Sequence, residues 1–75
     1  MRAALSEYLA AILKHSYQLE AGTGTGIDFI DLQRLEARIT DAYKEGQITA
    51  AQAGGLSTLA ADLHQEYRKQ LKLDL

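Results

Sequence analysis

The chain has 75 residues, no cysteine, no proline and a net charge of −2 from eight basic and ten acidic side chains. These values exclude a disulfide scaffold and thiolate metal sites, and they offer a polyanion no attraction by charge alone. An apolar fraction of 47% belongs to a folded chain rather than a disordered one.

The length allows one domain. A chain this short buries roughly 60% of the surface it exposes when unfolded, so a lone monomer is marginal. Small domains make up the difference with a disulfide, a metal, very good helix packing or a partner subunit. With the first excluded, self-association is the expected device. No apolar run approaches the ~20 residues that span a bilayer. The opening Met1-Arg2-Ala3-Ala4-Leu5 is interrupted by Ser6, Glu7 and Lys14 before it can become the apolar core of a signal peptide. The expectation is therefore a cytoplasmic protein without membrane contact.

Absence of proline permits long helices, and three segments carry a helical period. The first covers residues 3–20. Leu5, Leu9, Ile12, Ser16 and Leu19 recur at spacings of three and four, and Tyr8, Leu13 and Tyr17 widen that stripe. A stripe this wide points to contact with two neighbours. Residues 21–27 follow as a Gly/Thr loop, Gly22-Thr23-Gly24-Thr25-Gly26, which reads as a flexible linker because each glycine costs a helix about 1 kcal/mol relative to alanine.

The second helix is expected over residues 29–45, with Asp28 as its N-cap and Asp31 in the first turn, near the positive pole of the helix dipole. Phe29, Leu32, Leu35, Ile39, Ala42 and Tyr43 form its apolar face, and Gly46 ends it. Thr49 and Gln52 make a capping box for a third helix over residues 50–72, with Ile48 placed as a hydrophobic staple toward Ala53. Leu56, Leu59, Ala60, Leu63, Tyr67 and Leu71 recur on one face. The connection from Lys44 to Thr49 is short enough to force an antiparallel hairpin of helices 2 and 3. Gly54-Gly55 interrupts the third pattern. The reading is a continuous helix whose glycines admit a close neighbour, and residues 73–75 are expected to fray. The fold class is all-α, a small three-helix bundle.

Little in this pattern carries chemistry. The glycine loop lacks the preceding strand and the following lysine of a phosphate cradle, and Asp28 and Asp31 stand where an anion would sit. His15 and His64 have no His or Cys at ligand spacing and no Glu three residues before them, so neither a zinc site nor a carboxylate-bridged metal site is expected. Both read as partly exposed residues without a nucleophile or orienting acid near in sequence. No catalytic set, metal or cofactor is expected.

Ile48-Thr49-Ala50-Ala51-Gln52-Ala53-Gly54-Gly55-Leu56-Ser57-Thr58-Leu59 resembles a DNA-binding helix-turn-helix, which implies a nucleic-acid-binding regulator using residues 48–68. The stretch is about two residues shorter than that motif, and its would-be reading helix carries Asp62 and Glu66 with no basic residue before Arg68. Residues Tyr43 to Gln52 also resemble the turn of short bacterial helical-hairpin modules, a likeness of geometry that points to no one family.

The leading expectation is a small non-enzymatic protein-interaction module, a homo-oligomer or an accessory or inhibitory subunit of bacterial or phage type. Its expected partner is another protein or a second copy; the alternative reading is the nucleic-acid-binding regulator that uses residues 48–68. The residues expected to bind are Tyr8, Ile12, Tyr17, Tyr67 and Leu71, on a groove that a fourth helix could fill.

Overall fold

Helix α1 (Arg2–Ala21), α2 (Gly26–Lys44) and α3 (Ala50–Gln70) follow one another in a computed structural model that describes residues 2–72. Together they form a small all-α three-helix bundle. The α2–α3 pair shares the most extensive contact, as the short connection requires, and α1 lies against both. Among the described residues no helix is long and apolar enough to cross a membrane. The expected fraying of residues 73–75 lies outside the described part.

Each helix end has a local cause. At the end of α1 the N–H of Thr23 reaches the carbonyl of Gln18 and that of Gly22 reaches Leu19; at the end of α2, Gln47 reaches Ala42 and Gly46 reaches Tyr43. Both are Schellman closures, and both place a glycine at positive φ, 76° at Gly22 and 77° at Gly46. The box at α3 forms as expected, Thr49 N–H donating to Gln52 Oε1 at 2.9 Å and Gln52 N–H to Thr49 Oγ1 at 3.0 Å. At α2 the expectation needs correction. Thr25, not Asp28, is the N-cap, and Asp28 is the third helical residue of a Thr25/Asp28 box, so α2 begins at Gly26 rather than at 29. The shorter Asp28 side chain here fills the role that Glu or Gln takes in the common box, its Oδ2 accepting from the Thr25 N–H at 2.8 Å.

The core is built from Tyr8 and Ile12 of α1, Phe29, Leu32, Leu35, Ile39 and Ala42 of α2, Ile48 of the connection, and Leu56, Ala60 and Tyr67 of α3. Leu5, Leu19, Leu63 and Leu71 pack around its edge. The buried face of α1 therefore runs Tyr8, Ile12, His15, and Leu9 is turned outward. Leu5, Leu9, Ile12, Ser16 and Leu19 fit a helical period, and so does Leu5, Tyr8, Ile12, His15 and Leu19. Packing against α2 and α3 selects the second set.

The Gly/Thr loop is tethered rather than flexible. A methyl group added at Gly24 would fall inside contact distance of the Tyr67 ring, which is fully buried and cannot move aside. Glycine is needed there because backbone and ring share the space. Gly24→Ala is expected to lower stability by about 1–3 kcal/mol, the cost of overpacking. Gly26→Ala, whose added group meets nothing within 4 Å, serves as the control. Urea unfolding of the two variants gives the comparison.

Helix α3 runs unbroken through Gly54-Gly55, as expected, but the close neighbour is not there. Neither glycine has any atom within 4 Å of an added methyl group, and both are exposed. They form no packing notch inside this chain. Gly54→Ala should therefore raise the unfolding free energy by about 1 kcal/mol, the difference in helix propensity, seen as a higher urea midpoint with an unchanged slope. The same continuity removes the helix-turn-helix reading. The residues that resemble that motif lie within one helix from Ala50 onward, and no turn separates a supporting helix from a reading helix.

Candidate interaction face

Two features stand out once the chain is folded: a buried polar cluster and an exposed apolar face. The cluster is centred on Asp28. Its Oδ1 lies 2.8 Å from His15 Nδ1, and its Oδ2 accepts from the Thr25 N–H at 2.8 Å and from the Thr25 hydroxyl at 3.2 Å. The Gln18 amide nitrogen, turned toward the carboxylate, lies 2.7 Å from Oδ1 and 3.0 Å from Oδ2. Tyr67 closes the group from α3, its hydroxyl donating to the His15 carbonyl at 2.6 Å and its ring meeting the imidazole edge-on.

Sequence reasoning missed this cluster. It placed His15 at a partly exposed position without an acid, whereas the imidazole is buried with Asp28 as its partner. The signal was present. His15 falls three residues after Ile12 and four before Leu19, a core-facing position. The acid lies 13 residues away across the loop, which only the fold brings near. Burial by itself pushes the Asp28 carboxyl up. The Thr25 N–H, the His15 hydrogen bond, the Thr25 hydroxyl and the charge of His15 outweigh it and hold that carboxyl below its ordinary value. Burial and then the Asp28 charge push the Tyr67 phenol up.

His64 is also less free than the sequence suggested. Its ring packs on Phe29 with centroids 4.3 Å apart, and its Nδ1 lies 3.2 Å from Glu36 Oε1, so it belongs to the α2–α3 seam.

The five residues expected to bind a partner do not form one exposed surface. Tyr8, Ile12 and Tyr67 are core residues, and their burial corrects their reading as contact residues. The Tyr8 hydroxyl reaches the Arg38 carbonyl at 3.4 Å, so, like Tyr67, it has its polar end satisfied by backbone of another helix. Leu71 is half-buried against the core edge. Tyr17 alone is widely exposed, at 67%.

Around Tyr17 a different face appears. Leu9, Leu13 and Tyr17, each four residues after the last, form an exposed stripe along α1, and Leu59 is half-exposed on α3. Between the two helices runs an open groove of about 550 Å³. Ile12 and Leu63 lie at its apolar bottom, and Asp62, Glu66 and Lys69 stand along its α3 side. A row of large exposed apolar side chains beside an open groove is what solvent-exposed surfaces normally lack. The sequence contained this face too: Leu9 and Leu13 belong to the wide stripe of α1, whose excess width now lies outside the core. No protein-family model, curated protein or solved structure matches this chain.

Proposed function

We propose that this chain is a small non-enzymatic protein-interaction module whose binding face is the α1–α3 surface. The observation that carries the reading is the exposed stripe of Leu9, Leu13 and Tyr17 on α1, beside a groove lined by Ile12, Leu59 and Leu63. The buried His15–Asp28 pair supports it indirectly. His15 Nδ1 and both Asp28 carboxylate oxygens are engaged with each other, with Thr25 and with Gln18, so the pair serves as an internal clamp. The acidic Asp62 and Glu66 beside the groove favour a protein partner over a nucleic acid, whose phosphates they would repel.

A photo-reactive amino acid at position 13, with one at Gln33 on the exposed side of α2 as control, tests the reading in cells that express the chain. Adducts formed from position 13 and not from position 33, whether with another protein or with a second copy, are the expected result. Equal labelling from both positions, or none from position 13, removes this face as a binding site.

A further inference from the structure

On the other side of α1 a second groove, of about 360 Å³, lies against α2 and is lined by Ala11, His15, Asp31, Arg34, Leu35 and Arg38. We infer that this groove binds a small amino carboxylate, with its ammonium group at His15 and Asp31, its carboxylate on Arg34 and Arg38, and a short methylene chain over Ala11 and Leu35. The volume falls within the ~300–1,000 Å³ of small-molecule sites.

The first ground is the buried imidazole. His15 is 5% exposed, and its Nδ1 lies 2.8 Å from Asp28 Oδ1. A carboxylate oxygen accepts, so Nδ1 carries the hydrogen and Nε2 of the neutral ring is an acceptor. Among the described residues Nε2 has no hydrogen-bond partner. Nor is it one of the sealed, unpartnered polar atoms, which are His64 Nε2 and Arg68 Nε. The ring is thus oriented through Nδ1 and keeps Nε2 open, beside the groove that His15 lines.

The second ground is the order of charge along the groove. Helices α1 and α2 run in opposite directions, since His15 meets Asp28 while Tyr8 meets the Arg38 carbonyl. Followed along α2, the groove passes from His15 and Asp31, past Arg34, to Arg38. One end holds acceptors and the other holds guanidiniums, which only donate. Among the described residues neither Asp31 nor Arg34 enters an ion pair within 4.0 Å. Arg38 stands over the Tyr8 ring at 5.7 Å and lies 4.0 Å from Glu7. A bare anion would meet Asp31, and a bare cation would meet two guanidiniums. A ligand carrying both charges suits both ends, and a carboxylate matches the planar guanidinium fork.

The third ground is spacing. Asp31 precedes Arg34 by three residues and Arg38 by seven, a helical rise of about 4.5 to 10 Å. An amine and a carboxylate joined by about three to five methylenes span the lower part of that range, and the long arginine side chains cover the remainder.

Backbone-amide and imidazole NMR shifts of the whole chain, titrated to tens of millimolar with 4-aminobutanoate, test the inference. Saturable shifts at Ala11, His15, Leu35 and Arg38 with a millimolar dissociation constant are expected, as suits a ligand of few atoms in an open groove. Butylammonium and butyrate each keep one of the two charges and should bind at least about fivefold more weakly. Asp31→Asn and Arg34→Gln should each weaken 4-aminobutanoate about three- to fivefold, the range of an exposed ion pair. Neither side chain is buried, so helicity by circular dichroism should be unchanged in both. Lys69→Gln, in the α1–α3 groove, should bind like the parent chain. The absence of saturable shifts overturns the inference. So do one-charge analogues that bind equally well, binding that survives both Asp31→Asn and Arg34→Gln, or shifts that centre on Leu59 and Leu63.

Discussion

Replacing Tyr67 by alanine is expected to lower the unfolding free energy by about 3–5 kcal/mol, the range for removing a buried aromatic side chain. For a domain this small that is a large part of all the stability there is. The residue earns this rank by position. It is fully buried, its ring packs against the Gly24 backbone and the edge of His15, and its hydroxyl reaches the α1 carbonyl. Tyr67→Phe keeps the ring and loses one hydrogen bond, so it should cost only about 1 kcal/mol. Urea unfolding of both variants separates the contributions. If the phenylalanine variant were as unstable as the alanine one, the ring contact with the loop would not be what Tyr67 supplies.

The second large effect is expected at Asp28. Asp28→Ala removes the partner of a buried imidazole, the back-bond of the α2 cap and the acceptor for Gln18 together. Breaking a buried pair on one side costs about 3–5 kcal/mol, and the partial exposure of this carboxylate places the expected loss near 3 kcal/mol. Asp28→Asn keeps the shape and part of the capping and should lose less. The carboxyl is held below its ordinary value in the folded chain, so the folded state binds its proton less readily than the unfolded state does. Its contribution is therefore full above about pH 4 and fades as pH falls through the folded-state value. The parent chain should lose stability below about pH 4 more steeply than Asp28→Asn does. Thermal unfolding of the two proteins between acidic and neutral pH measures the difference; parallel curves would mean that Asp28 titrates alike in both states.

Much of the fold was legible because it rests on local chemistry. The Thr49/Gln52 box, Gly46 after α2 and the short connection fix the α2–α3 hairpin from adjacent residues alone. Phe29, Leu32, Leu35, Ile39 and Ala42 are all buried as their spacing requires. The start of α2 was misplaced because Thr25 and Asp28 can both cap a helix, and the choice depends on whether Asp28 is drawn inward by His15. The rotation of α1 was misread for a related reason. With Leu9 and Leu13 exposed and His15 buried, polarity on this helix runs against burial, and an amphipathic pattern cannot report a core histidine whose partner lies on another element. The same inversion hid the exposed apolar face. Tyr8 and Tyr67 drew attention as aromatic anchors, while the surface was left to the leucines beside them.

The tethers of the Gly/Thr loop also bear on how the chain assembles. The hairpin of α2 and α3 closes through neighbours a few residues apart, whereas the ring that pins Gly24 comes from the far end of the sequence. Closing contacts between distant positions costs chain entropy that only a preformed surface can offset. The loop and the end of α1 are therefore expected to dock last, onto the α2–α3 hairpin, and proteolysis between Gly22 and Gly26 that runs faster than global unfolding is the measurement that checks this order.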